Sequence, residues 1–154
     1  MLFFYILLIL QTVASIDLPL SVSGSKIVDA NGQQVKLACV NLYGAQLDRY
    51  VINGLDEIDL DVLSHNISSM GFNCVRLPYS VELYKENPVV ENSSVSANPH
   101  LFGLTGMEVF DKTVESLTNA GLMVILDNHV SDAIWCCSRT DGNGMWADPF
   151  TKYS

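Results

Sequence analysis

The fold is decided by the stretch Gly121-Leu122-Met123-Val124-Ile125-Leu126-Asp127-Asn128-His129. A glycine that can end a helix is followed by an apolar run and then, abruptly, by polar side chains. An unbroken apolar run of this length is typical of a strand that is buried on both faces, as in a parallel sheet covered by helices. Parallel α/β proteins place their binding and catalytic groups at the carboxyl ends of such strands. The stretch therefore predicts one strand of an α/β fold with a functional tip.

A second copy of this pattern lies upstream, at Met70-Gly71-Phe72-Asn73-Cys74-Val75-Arg76-Leu77-Pro78, where the short strand ends on the cation Arg76. Asp56 to Met70 carries apolar residues at helical spacing, with acidic residues in the first turn, and predicts a helix that stops at Gly71. Thr105-Gly106-Met107-Glu108 has the form of a capping box and predicts a second helix that ends at Gly121. The order strand, helix, strand, helix, strand predicts parallel pairing with right-handed crossovers.

Three further segments are turns or loops. Asn31-Gly32 stands between two short alternating runs over residues 26–37 and predicts a tight hairpin turn that leads into a strand at Leu37 to Asn41. Residues 81–103 are rich in Asn, Ser and Pro without a sustained period, which predicts a long loop with one helical turn. Residues 131–146 are rich in glycine and aromatic residues and predict a surface loop over the strand tips.

Composition excludes several classes of function. Of the 154 residues, 49% are hydrophobic and 16% are charged, which is typical of a globular protein and not of a disordered one. Eight Lys and Arg face 17 Asp and Glu, and the net charge of -9 disfavours nucleic acids and anionic membranes as partners. No Cys-x-x-Cys pair occurs and the three histidines are not at ligand spacing, so zinc is not expected. No metal or other cofactor is predicted.

The N-terminus has the features of a secretory leader. Residues 2–10 form an apolar run too short to span a bilayer, and Val13-Ala14-Ser15 offers small residues at cleavage spacing. We predict a signal peptide over residues 1–15 and one domain over residues 16–154, which is secreted and has no stable membrane association. Because no basic residue precedes the apolar run, an uncleaved anchor is the alternative. Sequons predict N-glycosylation at Asn66 and Asn92, with Asn92 favoured because it falls in a loop.

The four cysteines leave disulfide pairing open. An even number in a secreted protein permits disulfides without specifying them. Cys39 and Cys74 lie inside apolar strands, so each is interpreted as a small buried hydrophobic residue. Cys136 and Cys137 are adjacent in the loop after the last predicted strand, and their partners are not specified.

Four segments in this order resemble the cellulase-like glycoside hydrolase family 5: the hairpin Ile27-Val28-Asp29-Ala30-Asn31-Gly32, the strand leading to Val40-Asn41, the segment Gly71-Phe72-Asn73-Cys74-Val75-Arg76-Leu77-Pro78, and Asp127-Asn128-His129. Members of that family fold as (β/α)8 TIM barrels and cleave β-linked glycans with retention of configuration. The resemblance runs from about Gly24 to Trp146. It implies an α/β fold that is the N-terminal portion of a (β/α)8 TIM barrel, with about three βα units preceded by a β-hairpin.

The resemblance also implies that Arg76 and His129 line the subsite where the sugar bond is cut. A guanidinium keeps a carboxylate nucleophile ionised and in place, and a histidine at a strand tip can donate to a sugar hydroxyl. The alternatives are a surface ion pair at the barrel rim for Arg76 and a rim histidine without substrate contact for His129. Asp127 and Asp132 sit in no context that the family uses for proton transfer, and they are assigned no catalytic role.

Other side chains at the strand tips are candidate sugar ligands. Aromatic rings stack on the apolar faces of pyranoses, and each candidate ring has the alternative role of a packing anchor that keeps a loop closed. Asn128 is a candidate hydrogen-bonding partner of sugar, whereas Asn41 is better explained as a loop cap. The candidate rings are Tyr43, Trp135 and Trp146.

The predicted activity rests on two carboxylates that this sequence does not supply. A retaining glycosidase needs a pair of them roughly 5 Å apart. In the family both are glutamates, on the fourth and seventh strands, and the first belongs to an Asn-Glu-Pro motif that is absent here. A complete barrel also needs roughly 250 residues. We therefore predict a fragment, inactive alone, of a secreted, retaining, cellulase-like endo-β-glycosidase that hydrolyses O-glycosyl bonds in β-linked polysaccharides.

Two other classes of protein are alternatives to a glycosidase fragment. A non-catalytic carbohydrate-binding or decoy protein would use the same rim without carboxylates. A different α/β enzyme, such as an esterase or nucleotide binder, would carry a Gly-x-Ser-x-Gly or Gly-x-Gly-x-x-Gly signature, and neither occurs. The sequence does not identify the substrate glycan, which could be a glucan, a mannan, a xylan or the sugar of a glycolipid.

Overall fold

A computed structural model describes residues 16–136 of the chain, which form two compact units divided between residues 36 and 37. The first unit contains an antiparallel hairpin of β1 (Ser21–Ser23) and β2 (Lys26–Val28). Within residues 37–136, the second unit contains a three-stranded sheet and three α-helices. No helix within residues 16–136 has the length and apolar character needed to cross a bilayer.

The predicted turn at Asn31-Gly32 is confirmed, but the strands around it are shorter than expected. The Asp29 carboxylate accepts from the backbone N–H groups of Asn31 and Gln33 at 2.9 and 2.8 Å, and Gly32 has a φ of +75°. A single antiparallel bridge joins Val28 to Gln34. The regular antiparallel ladder lies upstream of this turn, between β1 and β2.

The sheet of the second unit is parallel throughout, as predicted. It consists of β3 (Cys39–Asn41), β4 (Cys74–Ser80) and β5 (Met123–Val130), in that spatial order. β3 begins two residues later than the prediction at Leu37. β4 does not end at Arg76 but continues through Pro78, with a register irregularity only at its end.

Helix α1 (Leu60–Ser69) begins four residues later than predicted. Asp59 caps it by accepting from the N–H groups of the next turn. The buried Asn98 side chain accepts from the N–H of Leu60 at 2.8 Å and donates to the carbonyls of Leu55 and Ile58 at 2.8 and 2.9 Å. These bonds hold residues 55–58 outside the helix, so the acidic residues predicted for its first turn largely precede it.

Helix α3 (Gly106–Asn119) confirms the capping-box prediction. The Glu108 carboxylate accepts from the backbone N–H of Thr105 at 2.8 Å, and this bond lowers the pKa of Glu108 below its usual value. Gly121 follows the helix with a φ of +80°, the left-handed conformation predicted for it. Residues of α1, α3 and β4 share one buried cluster that includes Leu60, Leu77 and Leu117.

The predicted long loop has more structure than one helical turn. It contains the short helix α2 (Val81–Glu86) and two 3₁₀ turns, Asn92–Val95 and Pro99–Leu101. The side chains of Leu83, Val95 and Leu101 are fully buried, which explains why the segment is ordered without a helical period.

The interpretation of Cys39 and Cys74 as unpaired buried residues is wrong, because they form a disulfide. The two residues lie directly opposite each other in the register of β3 and β4, with their Cα atoms 4.3 Å apart. Cys74 is buried whereas Cys39 is exposed. Cys136 is also disulfide-bonded, and Cys137 lies outside the described residues.

Candidate functional site

Arg76 lies on the neighbouring strand opposite Asn41. The two residues are paired in the register of β4 and β3, and the Arg76 Nη1 donates to the Asn41 Oδ1 at 3.3 Å. Asn41 was interpreted as a loop cap, but its side-chain oxygen instead holds one arm of the guanidinium. The parallel register thus places Asn41 where its side chain can orient one side of the Arg76 guanidinium.

The other arm of the guanidinium meets two side chains of β5. The Arg76 Nη2 forms an ion pair with the Asp127 Oδ2 and lies 3.1 Å from the His129 Nδ1. The His129 Nδ1 in turn lies 3.0 Å from the same Asp127 oxygen. We call Arg76, Asp127 and His129 the rim cluster. Its formation confirms that Arg76 and His129 project from neighbouring parallel strands into one place, near the carboxyl end of β5.

Asp127 also belongs to the rim cluster, although the sequence did not indicate that it would take part in the site. Its Oδ2 is buried and within ion-pair distance of both partners, although neither partner is aligned for a hydrogen bond to it. The negative charge of Asp127 offsets the positive charge of Arg76. A site with balanced charge and several hydrogen-bonding groups suits a neutral polyhydroxyl ligand better than an anion.

Two of the predicted aromatic side chains also come together. The rings of Tyr43 and Trp135 have centroids 5.7 Å apart and an interplanar angle of 35°. The Asn53 side chain donates to the Tyr43 hydroxyl at 3.1 Å. The two aromatic residues stay 41% and 66% exposed, and both line a cavity of about 180 Å³. Exposed rings beside a cavity can stack on an apolar sugar face.

The remaining predicted residues are not part of these groups. Asn128 is exposed and lies between Asp127 and His129 on β5, so strand alternation directs it to the opposite face of the sheet. Trp146 lies outside the described residues. The glycosylation candidates Asn66 and Asn92 are half-buried on α1 and exposed in a 3₁₀ turn, respectively, and their modification stays a prediction.

Glu82 is a residue of this edge that sequence reasoning missed. It lies in the first turn of α2, just beyond β4, and its carboxylate accepts from the Tyr50 hydroxyl at 2.6 Å and the Ala133 N–H at 2.9 Å. The sequence predicted this segment as a long loop with one helical turn. Ser80 offered a local signal, because its side chain caps α2 by accepting from the N–H of Leu83.

Among the described residues, no group of three or more His, Cys, Asp or Glu side chains is arranged to hold a metal ion. Within residues 16–136 the candidate site consists of the rim cluster, Asn41 and the Tyr43–Trp135 ring pair. These groups offer hydrogen bonds and stacking surfaces at one edge of a parallel sheet.

The parallel sheet and its helices form part of an α/β fold. Residues 28–153 match the family described as Cellulase (glycosyl hydrolase family 5). A "Glycosyl hydrolase 5 family protein" of Chamaecyparis obtusa is 41% identical over 162 residues, which cover 94% of this chain and 29% of that protein. An endoglucanase of Paenibacillus polymyxa is 31% identical over 106 residues, covering 69% of this chain and 27% of that protein.

Solved structures agree with this assignment. The catalytic domain of the major endoglucanase from Xanthomonas campestris pv. campestris matches with a TM-score of 0.65 and 30% identity, over 71% of this chain and 32% of that one. An endocellulase from Pyrococcus horikoshii, in complex with cellotetraose, matches with a TM-score of 0.67 and 28% identity, over 80% and 34%. The chain belongs to glycosyl hydrolase family 5, the cellulase family. It spans about a third or less of the length of these relatives.

Proposed function

We propose that the protein of which these residues form a part is a retaining endo-β-glycosidase that hydrolyses O-glycosyl bonds in β-linked polysaccharides. The observation that carries the proposal is the rim cluster, which gathers Arg76, Asp127 and His129 at the sheet edge in a member of a cellulase family. Relatives named endoglucanase, and one relative solved with cellotetraose, support a β-glucan as the substrate.

Each group of the site has a distinct part in this proposal. The guanidinium of Arg76 would hold and orient a carboxylate with its planar fork of donors, and its contact with Asp127 supports this part. The Nδ1 of His129 faces Asp127, which leaves Nε2 as the ring atom that would meet a sugar hydroxyl. The rings of Tyr43 and Trp135 would stack on a neighbouring pyranose.

We further propose that these 154 residues bind glycan without cleaving it. Retention requires an acid and a nucleophile on separate carboxylates. Within the rim cluster, Asp127 is the carboxylate and it is engaged by both Arg76 and His129. The family's two glutamates belong to strands beyond the three parallel strands described here.

The proposal includes secretion after cleavage of residues 1–15. The Cys39–Cys74 disulfide supports this, because disulfides persist in oxidising compartments and are rare in the cytosol. Expression with the natural leader in a secreting eukaryotic host should release protein whose first residue is Ile16, as read by mass spectrometry. Cell-retained protein that still begins at Met1 would contradict it.

Arg76→Met tests the binding role of the rim cluster. We expect the affinity for cellotetraose to fall at least about tenfold, because hydrogen bonds from charged groups contribute roughly 1.5–3 kcal/mol. Calorimetric titration measures the affinity, and Arg76→Lys should give an intermediate value since it keeps the charge but loses the planar fork.

The matched control is Lys112→Met, which removes one positive charge from the exposed face of α3. Its affinity should equal that of the unaltered protein. Equal affinities for Arg76→Met and the control would refute the binding role. Release of reducing sugar from β-glucan by the 154-residue polypeptide would refute its proposed inactivity, and binding without hydrolysis by a full-length protein would identify a decoy.

A further inference from the structure

We propose that Glu82 is a positioning residue for the Tyr43–Trp135 ring pair, and so sets glycan affinity without touching the glycan. The expected loss of glycan affinity rests on the proposed function, whereas the positioning of the two rings does not. Glu82 lies at the edge of the sheet where the loops after β3, β4 and β5 meet.

The contacts of Glu82 join these three loops. Its Oε1 accepts from the hydroxyl of Tyr50, which belongs to the loop after β3. Its Oε2 accepts from the N–H of Ala133, and its own N–H donates to the carbonyl of Ser131 at 3.0 Å, both in the loop after β5. Ala133 and Ser131 are buried, so the bonds hold the base of that loop and not its surface.

The loops after β3 and β5 each carry one ring of the pair. Trp135 follows Ala133 by two residues. Tyr43 lies at the start of the loop that contains Tyr50, and the Tyr43 carbonyl accepts from the N–H of Asn53 at 2.8 Å, which closes that loop on itself. Glu82 therefore ties together the two backbone segments that bring Tyr43 and Trp135 to a centroid distance of 5.7 Å.

The chemistry of the carboxylate explains why this position suits glutamate. Each oxygen faces one donor, and the 2.6 Å bond from the Tyr50 hydroxyl is in the range of charge-assisted hydrogen bonds. Alanine would leave the Tyr50 hydroxyl and the Ala133 N–H without this partner. Glutamine can replace both bonds, because its oxygen can accept from the Ala133 N–H while its NH2 donates to the Tyr50 oxygen.

The test uses Glu82→Ala, Glu82→Gln and, as a matched control, Glu57→Ala at an exposed glutamate of the loop after β3. Near-ultraviolet circular dichroism reports the ring pair, with the Trp135 contribution isolated by subtracting the spectrum of the same variant carrying Trp135→Phe. Calorimetry gives the affinity for cellotetraose. Tyr50→Phe removes one of the two bonds and keeps the assay informative if Glu82→Ala does not fold.

We expect Glu82→Ala to lose most of the Trp135 signal and about tenfold in affinity, since the rings are no longer preorganised. Glu82→Gln and Glu57→Ala should retain both, and Tyr50→Phe should fall between. An unchanged Trp135 signal in both Glu82→Ala and Tyr50→Phe would overturn the proposal, as would failure of Glu82→Gln to restore the signal. Absence of cellotetraose binding by the unaltered protein would overturn the proposed function instead, while the spectra still decide the positioning role.

Discussion

Replacing Gly44 with alanine is expected to lower the free energy of unfolding by about 3–5 kcal/mol, because overpacking and backbone strain add there. Gly44 has a φ of +132°, a conformation that side chains rarely adopt. An added Cβ would overlap the backbone N of Asn53 and lie 2.5 Å from the carbonyl oxygen of Val51. The backbone cannot easily retreat, since the Asn53 N–H is bonded to the carbonyl of Tyr43.

Gly54→Ala is the matched control, because it also has a positive φ, +96°, but the nearest atom to an added Cβ is a side-chain methyl of Ile58 at 4.0 Å. It should cost about 1–2 kcal/mol from conformational strain alone. Denaturant unfolding followed by circular dichroism measures both variants. Equal losses would show that close packing at Gly44 does not hold the loop that carries Tyr43.

Removing the Cys39–Cys74 disulfide is expected to lower the free energy of unfolding by about 3–4 kcal/mol. The bond links residues 35 apart in sequence, and a loop of that length is estimated to gain about this much from restriction of the unfolded chain. The double variant Cys39→Ala with Cys74→Ala avoids placing a serine hydroxyl in the buried position of Cys74.

Denaturant unfolding with and without a thiol reductant supplies the control. The reductant should destabilise the unaltered protein by at least as much as the double substitution does, because it also reduces the disulfide at Cys136. It should affect the double variant much less, through the remaining disulfide at Cys136. A double variant as stable as the oxidised protein would show that the parallel pairing of β3 with β4 does not depend on this bond.

The features that sequence predicted correctly have local causes or follow from topology. Thr105 and Glu108 form a capping box with each other, so four residues are enough to place the start of α3. Arg76 meets His129 because β4 and β5 run parallel and because the long Arg76 side chain, opposite Ile125 in the register, reaches the polar groups near the end of β5. The match to family 5 agrees with the motifs in which these residues occur.

The features that sequence missed depend on residues far apart in the chain. Asn98 delays the start of α1 through bonds to residues about 40 positions earlier, which no helical pattern reveals. The Cys39–Cys74 disulfide depends on strand register, and register is set by the packed sheet. Glu82 depends on the meeting of three loops, and its own helix α2 has only six residues, too few for a periodic signal.

The central claim is that the rim cluster is the place where the glycan binds, and nuclear magnetic resonance of the histidine rings tests it most directly. His129 belongs to the cluster, whereas His65 and His100 are exposed on α1 and in a 3₁₀ turn and serve as internal references. During titration with cellotetraose, the His129 ring resonances should shift to saturation while those of His65 and His100 stay in place, and α-linked maltotetraose should cause no shift. A His129 ring that does not respond to cellotetraose at saturating binding, or one that responds no more than His65 and His100, would contradict the account.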